Sequence, residues 1–169
     1  VGPVTAVTGL LYTIPSLAAF AVLIPITGLS LMTAIIPLTT YTLLILYVNT
    51  VAGLRSVPPE VNEAADAMGY TRTSRLLHVQ LPLAVPLIMA GVRVAAVTTI
   101  GLVTVSAIIG GNRFGGLGQF ITEGLQTDFD TKIYLGAVGS VILAFVVDGA
   151  LVALQRVLTP WARASAERG

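Results

Sequence analysis

From Leu83 to Gly111 a single charged side chain, Arg93, interrupts an otherwise apolar run. A run of that length has few ways to fold. It exceeds the ~20 residues that carry a helix across the hydrocarbon core of a bilayer. Its apolar residues do not alternate as they would in a strand with one wet face. Three more segments have the same character: about Val4 to Ile26, interrupted by Pro15 and Pro25; Leu31 to Leu54, with Pro37 near its start and Asn49 near its end; and Ile133 to about Val157. In lipid only helices and closed barrels satisfy their own backbone, and prolines inside spans are tolerated because neighbours re-satisfy the freed carbonyls. The expected fold is therefore all-α, a polytopic membrane helix bundle with four spans.

Composition points to the same solvent. The 169 residues are 55% hydrophobic and 10% charged, with a mean hydropathy of +0.91, where a soluble domain carries about 25% charged residues. A net charge of +1 gives no support for nucleic acid as a partner, and membrane lipid is the expected surrounding. With no cysteine, disulfides and thiolate metal sites are excluded, and no metal cluster or catalytic triad can be built on the lone histidine, His78, so no catalytic and no metal residue is assigned. The chain opens on Val1 without a basic, cleavable signal. The expectation is that an N-terminal part, another helix or more, is missing.

Three polar segments separate or follow the spans. Arg55–Gln80 carries Arg55, Arg72 and Arg75, and the tail carries Arg156, Arg163 and Arg168, six basic residues against Arg113 and Lys132 in Asn112–Lys132. Lys and Arg favour the inner side, which places Arg55–Gln80 and the tail in the cytoplasm. Trp161, just past the last span, suits the headgroup level.

The first polar segment is itself patterned as helix. Pro58 and Pro59 suit a helix start, Glu60 and Glu63 suit its first turn, and Val61, Ala64, Ala65 and Met68 follow the spacing of one apolar stripe. Gly69 is placed to stop that helix. A second helix is expected with Thr71 as N-cap, running to Leu81 and ending before Pro82. The apolar face of the first helix has nothing of its own chain to pack on, and a groove on another protein is the natural receptor.

Glu63-Ala64-Ala65, three residues, Gly69, nine residues, then Val79-Gln80-Leu81-Pro82 resembles the EAA loop of ABC importer permeases, whose pattern is E-A-A-x3-G-x9-I-x-L-P; only Val79, in place of Ile, departs from it. The resemblance implies the type I permease fold over residues 1–169, with residues 55–82 as a cytoplasmic coupling loop. It further implies that Glu63, Ala64, Ala65, Met68, Gly69, Leu81 and Pro82 engage a partner ATP-binding subunit. A helix lying on the membrane surface is the alternative, and it fits poorly because the basic groups do not gather on one face.

Gly115-Gly116-Leu117-Gly118-Gln119-Phe120-Ile121 followed by Glu123-Gly124-Leu125, together with Leu11–Leu17 and Val147-Asp148-Gly149, resembles the permeases of osmoprotectant importers, which carry glycine betaine, choline and related quaternary amines. Methionine-type permeases share the Gly-Gly-Leu-Gly run, so a methionine or other amino-acid importer is the alternative. Gly115, Gly116, Leu117 and Gly118 are read as an outer loop meeting an extracytoplasmic substrate-binding protein, or equally as a re-entrant turn between spans. A phosphate-loop reading fails, because Gly111–Gly118 lacks Lys-Ser/Thr and follows no strand.

Arg93 and Asp148 are the charges well inside apolar segments. They lie ~16 Å and ~14 Å from the inner ends of their segments at helical rise. An intramembrane ion pair is one reading; Arg93 snorkelling to the cytoplasmic surface is the other. Thr39, Thr40, Tyr41 and Asn49 give the second span a polar stripe, with Tyr41 and Asn49 as pathway candidates, although helix packing by hydrogen bonds accounts for them as well. Gly101, Gly136 and Gly139 read as close helix contacts.

By resemblance the chain is a permease of the bacterial cytoplasmic (inner) membrane that pairs with a second copy or paralogue. It would carry no cofactor of its own, and ATP and Mg would be bound by the partner subunit, so it is not itself an enzyme. A gradient-driven secondary transporter or channel would be expected to show broken-helix sites near the midplane and leaves the helix–Gly–helix segment unexplained. A membrane scaffold would show no transport.

Overall fold

The computed structural model describes residues 15–110 and 115–160, with backbone alone at 108–110. Leu11–Ile14, Gly111, Arg113, Trp161, Arg163 and Arg168 lie outside the described residues, so the expectations placed on them stay in the sequence. Every described element is helical: α1 (Ser16–Thr27), α2 (Leu31–Arg55), α3 (Pro59–Ala67), α4 (Arg72–Arg75), a π turn (Leu76–Gln80), α5 (Leu81–Gly110), α6 (Leu117–Thr127) and α7 (Asp130–Leu158). Three helical stretches are long and apolar enough to cross a membrane: α2, the continuous run Arg72–Ala107, and α7. The first expected span is represented by α1, 12 residues long, the remainder of that segment falling outside the described residues.

Two expectations are corrected here. Pro82 does not end a helix. The chain passes from α4 through the π turn into α5 without a break, and the Leu81 N–H reaches back to the Leu76 carbonyl, five residues away. A proline ring clashes with the carbonyl four residues before it in an α-helix; the wider π turn makes room for Pro82 and lets the helix continue. The Asn112–Lys132 segment, read as a loop or turn, contains an 11-residue helix, α6.

The described residues form two compact units, one of residues up to Leu44 with Ala95–Val147, the other of Ile45–Val94 with the residues from Asp148. In the first, Thr42 and Thr99 share a 2.8 Å hydrogen bond between α2 and α5, and Thr104 donates to Ser140 of α7 at 3.3 Å. Hydroxyl pairs of this kind hold membrane helices together where no hydrophobic force can act between apolar surfaces. α6 is seated by close backbone approach. A β-carbon at Gly118 would lie 2.6 Å from the Thr104 carbonyl oxygen, and one at Gly136 of α7 would lie 2.5 Å from the Leu117 carbonyl oxygen. Gly139 receives the Leu117 side chain. Gly101 does not belong with them: nothing lies within 4 Å of its would-be β-carbon, and it faces open space.

In the second unit α2 and α5 meet at Gly91, where a β-carbon would lie 2.3 Å from that of Asn49. Gly53 approaches the Ala84 carbonyl oxygen. Val57, Ala84 and Met89 of this unit are buried. The most apolar stretch of α7 is nowhere buried, and Phe145 and Val146 are 74% and 63% exposed. In water such a surface would drive aggregation; in a bilayer lipid or another helix covers it.

Candidate functional site

The segment between α2 and α5 belongs wholly to the second unit. Pro58 sits at the N-cap of α3 with extended backbone and Pro59 follows at the first helical position, where a missing N–H costs nothing. The helix stops at a Schellman arrangement: Tyr70 N–H bonds to the Ala65 carbonyl at 3.1 Å and Gly69 N–H to the Asp66 carbonyl at 3.0 Å. That closure requires the left-handed backbone found at Gly69, φ 84°. Thr71 then caps α4, its hydroxyl accepting from Ser74 N–H at 3.3 Å.

The expected apolar stripe divides in two. Ala65 is 1% exposed and packs inside the segment, whereas Met68 is 69% exposed and Ala64 and Glu63 face outward. The expectation that this face finds nothing of its own chain is therefore corrected at Ala65, which its own chain buries almost completely. Tyr70, Leu77 and Leu81 are also exposed. Together with Met68 they leave several apolar side chains of this segment open, with Glu63 exposed beside Ala64 in the chain.

Side chains brace the hairpin. Arg75 pairs with Asp66 across the Gly69 turn, and the Gln80 amide donates to the Asn62 side-chain oxygen at 2.7 Å. Asn62 in turn donates to the Pro58 carbonyl at 3.4 Å. None of these four residues belongs to the motif that drew attention to the segment. The opposite charges of Asp66 and Arg75 on either side of Gly69 were the available signal.

Arg93 and Asp148 are brought together. The guanidinium Nε and Nη2 donate to the two carboxylate oxygens at 2.7 and 2.8 Å, a bidentate fork joining α5 and α7. Seven residues away on each helix, Gln155 donates to the Pro86 carbonyl at 3.4 Å, which makes a second antiparallel rung. Both groups keep about a third of their side-chain surface open, 35% and 30%.

The remaining named residues are placed as follows. Asn49 donates to the Ile45 carbonyl of its own helix and packs on Gly91; Tyr41 is half-buried. Thr40 also bonds within its own helix, and Thr42, which the sequence reading passed over, makes the cross-helix contact. Gly115 and Gly116 take left-handed φ values of 63° and 83° and lead into α6. Gly118 is buried and Leu117 half-buried, their surface spent on their own chain. Lys132 reaches Glu123 at 3.1 Å, and Gln119 donates to the same carboxylate at 2.6 Å. The Gln119 amide first, then the Lys132 ammonium, hold the Glu123 carboxyl below the usual carboxylate range, against partial desolvation. Among the described residues no group of His, Asp and Glu is arranged to hold a metal ion.

Known proteins share this architecture and sequence. The choline transport system permease protein OpuBB of Bacillus subtilis is 38% identical over 159 residues, covering 94% of this chain and 72% of the relative. The osmoprotectant import permease protein OsmW of Salmonella typhimurium is 37% identical over 163 residues, 94% and 74% of the two chains. The carnitine transport permease protein OpuCB of Listeria monocytogenes is 40% identical over 166 residues, 98% and 75%. An inward-facing structure of the MetNI methionine ABC transporter superposes with a TM-score of 0.81 at 26% identity, covering 93% of this chain and 74% of that one. The family model described as binding-protein-dependent transport system inner membrane component matches residues 3–163, and the chain, a multi-pass protein of the cytoplasmic membrane, belongs to that family.

Proposed function

We propose that this chain is the permease subunit of an ATP-driven importer of osmoprotectants of the choline, carnitine and glycine betaine class. The observation that carries the reading is the braced helix–Gly69–helix unit, which bears the motif residues Glu63, Ala64, Ala65, Gly69, Leu81 and Pro82 and exposes Met68 between two spans. An ATP-binding subunit receives this surface from the cytoplasm and binds the ATP and Mg; the permease hydrolyses nothing. A second permease, identical or paralogous, completes the pathway against exposed helix faces such as that of α7. An extracytoplasmic binding protein delivers solute near the Gly115–Gly116 turn. The solute class rests on the relatives named for choline and carnitine, which are closer in sequence than the methionine transporter.

The test is reconstitution with the ATP-binding subunit and binding protein, followed by ATP-dependent uptake of choline, glycine betaine, carnitine and methionine. Uptake of the quaternary amines alone supports the reading, and uptake of methionine alone replaces the solute class. Uptake without ATP overturns the mechanism. Orientation is tested separately. Thr127→Cys is expected to react with an impermeant thiol reagent from outside, and Ser74→Cys only after the membrane is opened. The reverse pattern would remove the ATPase contact.

A further inference from the structure

The two braces of the α3 hairpin are nested. Asp66 pairs with Arg75 close to the Gly69 turn, and Asn62 pairs with Gln80 farther from it. On α3, Asn62 and Asp66 are four residues apart and share a face. On the other arm the partners are five apart. In an α-helix five residues turn about 140° past a full revolution, so Gln80 would point away from the face of Arg75. The arm is not α-helical there: Leu76–Gln80 is a π turn, bonded i to i+5, in which residues five apart stack roughly as residues four apart stack on α3. The π turn thus sets the register in which both braces form at once.

The Asp66–Arg75 brace is a weak source of stability. Asp66 lies in the last turn of α3, where the helix dipole disfavours a carboxylate. Its side chain is 54% exposed, and an ion pair that open adds little to stability. What the braces do accomplish is geometric. They tie α3 to the arm that runs without interruption into the span α5. On the other side α3 follows α2 across the short turn at Ser56–Pro58, where the chain leaves helix.

We propose that Asn62, Asp66, Arg75 and Gln80, brought into register by the π turn, are positioning residues that make the coupling helix α3 move as one body with span α5, and so set how much solute is moved per ATP hydrolysed. This rests on the reading of α3 as the surface that meets the ATP-binding subunit.

The experiment uses the complete importer in proteoliposomes with Asn62→Ala, Asp66→Ala and the exchange Asp66→Arg with Arg75→Asp. Recovered complex, ATP hydrolysis stimulated by the binding protein, and solute uptake are measured together. The expected result is wild-type recovery of complex and retained hydrolysis, with a several-fold loss of uptake per ATP in each single variant and substantial recovery in the exchange. An unchanged ratio in both single variants overturns the proposal. So does a loss of uptake that only follows a loss of complex, because that marks a structural role. Cross-linking from Met68→Cys to the ATP-binding subunit separates the two levels. With no cross-link, the coupling surface and this proposal fall together; a cross-link with an unchanged ratio removes this proposal alone.

Discussion

α3 and α6 are both short helices standing between spans, and they are held by opposite means. α3 buries one side chain, Ala65, and is tied by a Schellman closure and two polar braces, leaving Glu63, Ala64 and Met68 outward. α6 buries Gly118, Thr122 and Gly124, and the bare backbone of Gly136 on α7 lies against it. Close packing spends a helix's surface on its own chain. Polar bracing at the edges orients a helix and leaves its face free for a partner. Two short connecting segments therefore yield one element built into the body and one presented by it.

The sharpest way to break this contrast is to fill the space under α6. In Gly136→Val the new side chain meets the Leu117 carbonyl oxygen at 2.5 Å and Ile121 at 2.6 Å. Backbone cannot yield as a flexible side chain does, so the expected cost is at least about 3 kcal/mol, the upper end for overpacking. The measurement is folded protein recovered from the membrane, which should fall to a small fraction of wild type. Gly101→Val, with nothing within 4 Å, should leave it near normal. Equal losses at both positions would mean that close approach is not what holds α6.

At α3 the corresponding change is Gly69→Val. No neighbour is crowded; the obstacle is φ 84°, and a left-handed non-glycine residue costs roughly 1–2 kcal/mol. That is enough to re-aim a nine-residue helix but not to unfold three spans. Uptake is expected to be lost while membrane insertion and yield are nearly kept. Wild-type uptake and hydrolysis in this variant would show that the orientation of α3 is irrelevant to transport.

The Arg93–Asp148 fork should give a coupled effect. Neutralising one partner strands the other in the apolar part of the helix pair, so Arg93→Met and Asp148→Leu should each lower the yield of assembled complex. The double substitution should recover part of the loss. Additive losses in the double-mutant cycle would mean the pair contributes nothing as a pair.

How far the sequence carried can be judged at particular residues. α2 was expected at Leu31–Leu54 and occupies Leu31–Arg55; α7 was expected at Ile133–Val157 and occupies Asp130–Leu158. Those limits follow from local hydropathy and from polar residues at the ends, which one stretch of chain displays by itself. The stop at Gly69 and the cap at Thr71 were legible for the same reason. The π turn was not, because local pattern stops a helix before Pro82. Only the wider turn carries the helix through. Glycines were ambiguous in kind. Gly101 and Gly136 look alike in sequence, and only the approach of Leu117 distinguishes a packing site from open space. Arg93 left two readings because pairing depends on a partner 55 residues away. The division of the α3 stripe into buried Ala65 and exposed Met68 was not legible either, because the two positions carry the same helical spacing and only the folded chain separates them.

The mildest expected effect concerns the one place where α6 also uses charge. Glu123 accepts from Gln119 within its own helix and from Lys132 in the first turn of α7, and both bonds favour the ionised carboxylate. Its carboxyl is therefore held below the ordinary value of 4.5. For a carboxyl whose folded value is depressed, the stabilisation is fully present above the ordinary value and is lost as pH falls through the depressed one. Between neutral pH and about pH 5 the tie should not change, since the lowered Glu123 carboxyl stays ionised there in the folded protein. Below 4.5 it should weaken progressively as the proton competes with Gln119 and Lys132. The protection of the α6 amides in nanodiscs, taken from hydrogen exchange relative to the intrinsic rate at each pH from 7 downward, should fall only in that acid range. Glu123→Gln, which cannot take part in the titration, should remove the acid limb and leave the neutral-pH rates slightly raised. Because the glycine contacts carry most of the hold on α6, the helix should remain docked throughout. Full release of α6 on acidification would reverse the comparison with α3, by showing that a polar tie and not close packing keeps α6 in the body of the protein.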